Sequence, residues 1–102
     1  MKIDNLIKDY LMQVKLRHSN GTWRFYRSHL GHFSSYASKQ GLIYLDDVND
    51  QVIVDYVSTM KLTCENVTIN KNIGCLKRMY KGMNVDFPYL FSIEKLRERT
   101  KT

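Results

Sequence analysis

Seven tyrosines, three histidines and two cysteines are the side chains of this sequence able to attack, carry a proton or hold a metal. Their spacing argues against each use. A nucleophilic tyrosine needs a base or a cluster of cations beside it. Tyr10, Tyr26, Tyr56 and Tyr80 fall instead on apolar stripes at helical spacing, and Tyr36, Tyr44 and Tyr89 have no bases gathered around them. His29 and His32 are neighbours on a helix, but no cysteine or carboxylate stands near to complete a tetrahedral set. Cys64 and Cys75 match no zinc or redox spacing, and ordinary packing accounts for them. Asn20-Gly21-Thr22 and Asn66-Val67-Thr68 fit the glycosylation sequon, yet both threonines read as helix caps. The expectation is a chain with no catalytic residue, metal or cofactor of its own.

The remaining chemistry is charge. Sixteen Lys and Arg against ten Asp and Glu leave a net +6 on 102 residues, and what that charge does depends on the elements that display it. The chain is long enough for one domain that hides about 65% of its unfolded surface, so neither a disulfide framework nor a metal is required. No apolar run approaches the roughly 20 residues of a membrane span. Asp4, Lys8 and Asp9 interrupt the N-terminus where a signal peptide would be apolar, which points to the bacterial cytosol and no membrane partner.

Apolar residues recur at three and four positions, the helical period, and predict an all-α fold: a compact bundle of four main helices. Ile3, Leu6, Ile7, Tyr10, Leu11 and Val14 share one face of the first helix, which stops at the turn-forming cluster His18-Ser19-Asn20-Gly21. Thr22 reads as the N-cap of a second helix that runs to about Gln40 and ends at Gly41, with Trp23, Tyr26, Leu30, Phe33 and Ala37 as its buried stripe. Leu42-Ile43-Tyr44-Leu45 tucks under the bundle. Asn49 caps a third helix with Val52 or Ile53, Tyr56, Val57 and Met60 inside. Lys61 to Val67 connects it to a fourth, from about Thr68 to Gly82, whose buried side carries Ile69, Asn72, Ile73, Leu76, Met79 and Tyr80. Pro88 closes the compact region, so residues 1–88 form the domain and 89–102 a linker of alternating charges.

At about 100° per residue, Arg24, Ser28, Gly31 and Ser35 of the second helix lie opposite its core stripe, with Arg27 between. Asn70, Lys71, Gly74, Lys77, Arg78 and Lys81 lie opposite that of the fourth. Neither helix contains an acid; Asp46, Asp47, Asp50 and Asp55 collect around the third. One charged helix face is commonly just a solvated surface. Two acid-free helices in one small domain, interleaved with hydroxyl, amide and small side chains, suit the phosphates of a DNA duplex.

The run Thr22-Trp23-Arg24-Phe25-Tyr26-Arg27-Ser28-His29-Leu30-Gly31-His32-Phe33 resembles the Thr-x-x-x-Tyr-x-x-x-Leu-x-x-Phe signature of the SAM-like, core-binding N-terminal domain of tyrosine recombinases, the phage integrase family. Leu45-Asp46-Asp47-Val48-Asn49 is similar to that domain's lead into its third helix, with Asn49 in place of the usual Thr. Thr68-Ile69-Asn70-Lys71-Asn72-Ile73, continuing to Leu76-Lys77-Arg78-Met79-Tyr80, is similar to the start of its fourth. The similarity covers about residues 3 to 88, and the order and spacing of the motifs are more specific than any one of them.

The resemblance implies a domain of a phage or mobile-element integrase that packs on one side of a recombination site while a separate catalytic domain grips the other. Its partners would be double-stranded DNA, the enzyme's own catalytic domain and other recombinase protomers on the DNA. On matching positions the contacts would be Thr22, Arg24, Arg27 and Ser28 of the second helix and Asn70, Lys71, Lys77, Arg78 and Lys81 of the fourth. Arg24 and Asn70 are the better candidates for base edges, since their side chains make bidentate contacts there. The family's catalytic set of Arg, Lys, His-x-x-Arg and nucleophilic Tyr cannot be assembled here, so the chain is expected to be the DNA-binding fragment of a DNA breaking-and-rejoining enzyme and not itself an enzyme. The alternatives are a helical protein-interaction module, with Phe25, Tyr89, Leu90 and Phe91 as its apolar patch, and an independent small DNA-binding regulator.

Overall fold

The computed structural model describes residues 1–98. Five helices follow in order: α1 (Ile3–Arg17), α2 (Asn20–Lys39), α3 (Asp50–Met60), α4 (Asn66–Gly82) and the short α5 (Pro88–Ser92), with one 3-10 turn at Leu45–Asp47. Among the described residues there is no strand, only an isolated bridge between Lys2 and Tyr44. The fold is the all-α bundle that the apolar spacing implies.

Each helix contributes a stripe to one core. Ile3, Leu6, Ile7 and Val14 of α1 meet Tyr26, Leu30, Phe33 and Ala37 of α2, with Ile53, Tyr56 and Met60 of α3 and Ile69, Ile73, Leu76, Met79 and Tyr80 of α4. Aromatic edges lock the layers: Phe33 and Tyr36 of α2 lie 5.0 and 4.9 Å from the Tyr56 ring, and Tyr80 lies 5.3 Å from Phe87. Such pairs add about 0.5–1.5 kcal/mol each beyond the area they bury.

The helix starts differ from expectation. Ser19, not Thr22, caps α2: its hydroxyl oxygen accepts from the Thr22 N–H, so Asn20 and Gly21 belong to the helix. α4 begins at Asn66 rather than near Thr68, after Glu65, whose side chain makes no cap bond. Neither sequon threonine is therefore a cap. Asn49 does cap α3, its Oδ1 accepting from the Val52 N–H at 3.0 Å. Gly41 ends α2 with φ +73°, a backbone conformation side chains resist. The segment after it pairs with the N-terminus: Ile3 N–H donates to Ile43 C=O and Leu45 N–H to Met1 C=O, both at 2.9 Å. Leu42 and Leu45 are half-buried there, while Ile43 and Tyr44 face solvent.

The compact part does not close at Pro88. The proline occupies the first turn of α5, where its missing N–H costs nothing. Leu90 is fully buried, and Ile93 and Leu96 pack against the core. Arg99 and Lys101, the last charges of the expected linker, lie outside the described residues.

Candidate nucleic-acid interface

The basic surface is built on α2 and α4, which run side by side and are tied across their seam. Arg78 Nη1 donates to the Tyr26 hydroxyl at 3.1 Å. Deeper in, Asn72 is buried, and its amide nitrogen donates to the main-chain carbonyl of His29 at 3.2 Å. The Asn72 oxygen accepts from the Tyr56 hydroxyl at 2.8 Å, and His32 Nδ1 lies 2.9 Å from the same hydroxyl. With the tyrosine hydrogen given to Asn72, Nδ1 must carry the hydrogen of the His32 contact. One amide thus joins α2, α3 and α4. Its place on the buried side of α4 is legible from periodicity, but its hydrogen-bond partners are not.

Arg24 and Ser28 of α2 and Lys71 and Arg78 of α4 are all solvent-exposed. Lys71 stands close enough to His29 to help hold its imidazole below the ordinary histidine value, after burial and ahead of His32. Ser28, His29 and His32 also line a shallow cavity with Met60, Cys64, Thr68 and Asn72. None of these cations is in a salt bridge: among the described residues the one salt bridge is Lys95 with Glu98 at 3.7 Å, although the Glu98 carboxylate also reaches the Asn70 amide of α4. The acids do other work, Asp47 accepting from the Tyr44 N–H, Asp4 from Ser34 and Asp55 from Gln51.

The other five expected residues turn elsewhere. Thr22 is half-buried, and its hydroxyl accepts from Ser19 within the α2 cap. Arg27 is exposed but leans towards α1, its guanidinium 5.3 Å from the Trp23 ring that Lys15 shares at 5.0 Å. Lys81 sits 5.1 Å over the Phe91 ring. Asn70 and Lys77 are half-buried beneath the segment that follows α5. The Asn70 amide nitrogen donates to Leu96 C=O and Glu98 Oε2 at 2.8 and 2.9 Å, and its oxygen accepts from the Leu96 N–H at 2.8 Å. Lys77 donates to Ile93 C=O. Sequence periodicity has no signal for these bonds, because three of the four groups meeting Asn70 and Lys77 there are main-chain atoms.

Burial makes Tyr10, Tyr56 and Tyr80 poor nucleophiles. Burial pushes the Tyr10 hydroxyl up to about 12, and burial also raises Tyr56 and Tyr80 strongly. No group of three or more His, Cys, Asp or Glu able to hold a metal occurs among the described residues. No described helix is long and apolar enough to cross a membrane. Of the residues proposed as an apolar docking patch, Leu90 is buried and Phe25 and Phe91 are half-buried, Phe25 against Tyr26 and His29. Only Tyr89 is exposed among them.

The outer faces of α2 and α4 thus present guanidinium, ammonium and hydroxyl groups to solvent, groups able to bond anionic oxygens. A family model described as the phage integrase SAM-like domain matches residues 3–82. Neither the curated proteins nor the solved structures contain a significant match to the chain.

Proposed function

The chain belongs to the phage integrase SAM-like domain family, and from that premise we propose that it is the DNA-binding domain of a site-specific tyrosine recombinase of a phage or mobile element. It grips one side of a recombination site through α2 and α4. The strand-cutting chemistry of DNA integration and recombination falls to a catalytic domain outside these residues. The duplex, that catalytic domain and neighbouring protomers on the DNA are its partners.

What supports this reading is that Arg24 and Ser28 of α2 and Lys71 and Arg78 of α4 are exposed on two helices that pack together and carry no carboxylate of their own. Phosphate contacts position such a domain, and base-edge contacts specify the site. Arg24 projects from the outer face of α2 with no protein hydrogen bond among those described, so it is the residue assigned to a guanine edge; Asn70 and Lys77 reach DNA only after leaving their main-chain partners. Changing Arg24 and Lys71 together to Ala tests the assignment. Duplex binding should fall at least tenfold while the circular dichroism spectrum and melting midpoint stay near those of the parent. Unchanged binding would mean that the seam does not face DNA.

A further inference from the structure

The segment Ile93–Glu98 lies along α4 as an extended strap. Ile93 and Leu96 pack against the core and, with Val57, Ile69, Ile73 and Gly74, wall an apolar cavity between the strap and α4. Along its length the strap offers oxygens to the polar side chains of α4: Ile93 C=O to Lys77, Leu96 C=O and the Glu98 carboxylate to Asn70, and Arg97 C=O to Asn66 at 2.8 Å. A row of carbonyl and carboxylate oxygens facing a lysine and amide nitrogens presents the acceptor chemistry that phosphate oxygens present.

We infer that this strap is an autoinhibitory contact in which the chain's own C-terminal segment and a DNA backbone compete for Asn70 and Lys77. The inference rests on the reading of α4 as a DNA-facing helix. One side of α4, with Lys71 and Arg78, is open in the free protein; the other is masked. The open side makes the first, weaker encounter, and release of the strap adds Lys77 and Asn70 to the bound surface. Because Ile93 and Leu96 are only half-buried and peripheral to the core, the strap can leave without unfolding the bundle.

The Leu96 N–H, held by Asn70 Oδ1, is a single-amide reporter of the strap. Its hydrogen exchange, followed by NMR in the intact chain as a short mixed-sequence duplex is added, should accelerate several-fold at saturation while amides of α2 and α4 slow or stay unchanged. In a second arm, Ile93→Ser with Leu96→Ser should bind the same duplex several-fold more tightly at an unchanged salt slope, because Lys77 meets phosphate in both bound states. Lys77→Ala should cost more affinity in that background than in the parent. Should the double variant lose helicity, Leu96→Ala replaces it. Saturable binding with Leu96 exchange unchanged or slowed, and equal affinity in the variant, overturns the strap and leaves DNA binding standing. No binding by either protein overturns both.

Discussion

The Tyr56 hydroxyl donates to the Asn72 amide oxygen at 2.8 Å in the buried centre of the bundle, and the other end of the same amide holds the His29 carbonyl of α2. The spacing of the two basic helices therefore depends on a polar joint inside an otherwise apolar core. A buried polar group that loses its partner costs about 1–3 kcal/mol. Tyr56→Phe should destabilise the protein by that amount in urea unfolding, with the denaturant slope unchanged. A loss below about 0.5 kcal/mol would show that the joint carries little of the helix placement.

Protonation of His29 opposes the same joint. Its Nδ1 lies 3.4 Å from the Asn72 amide nitrogen, where a lone pair is tolerated and a second N–H is not. Burial, Lys71 and His32 hold its value below the ordinary 6.5. The unfolded chain then binds the proton more readily than the folded one, so stability is full above 6.5 and is lost as the pH falls below it. Melting midpoints measured from about pH 7.5 down to about pH 5.5 should decline, and His29→Gln should flatten the decline. A profile identical in parent and variant would remove His29 from the account.

Gly31 lies in the middle of α2 on its exposed face, and a Cβ placed there meets nothing within 4 Å. Gly31→Ala should raise stability by about 0.5–1 kcal/mol, the helix penalty of glycine. If the outer face of α2 approaches DNA closely, the same methyl should weaken duplex binding. A variant both more stable and equally good at binding would show that the glycine serves no close approach.

Burial raises the Cys75 thiol to about 12, so its thiolate is scarce at neutral pH. Its reaction with a disulfide reagent should follow the rate at which the bundle opens and should accelerate in urea. Modification at the rate of a free thiol in the native protein would contradict the packing of α4.

Much of this fold is legible in the sequence where periodicity decides it. The stripes Tyr26, Leu30, Phe33, Ala37 and Ile69, Ile73, Leu76, Tyr80 follow from helical spacing alone, and the opposite faces carry the cations as the same geometry requires. The helix starts are less legible, because Ser19 and Thr22 are both good caps and only the backbone decides between them. The strap is hidden altogether. Its alternating charges read as a solvated linker, whereas its grip on α4 comes from main-chain carbonyls and two aliphatic side chains. For the candidate site the wheel places Arg24, Ser28, Lys71 and Arg78 at the surface, where they are exposed, but it cannot show that Arg27, Lys77 and Asn70, equally basic or polar on it, have other partners.

The central claim is that the seam between α2 and α4 neutralises DNA phosphates. Fluorescence anisotropy of a labelled duplex, titrated with the intact chain over a series of salt concentrations, tests it most directly. With Arg24, Lys71 and Arg78 as contacts and Lys77 added on release of the strap, log K should fall against log salt with a slope of roughly −3 to −4. A slope near zero, or no saturable binding at low salt, would contradict it.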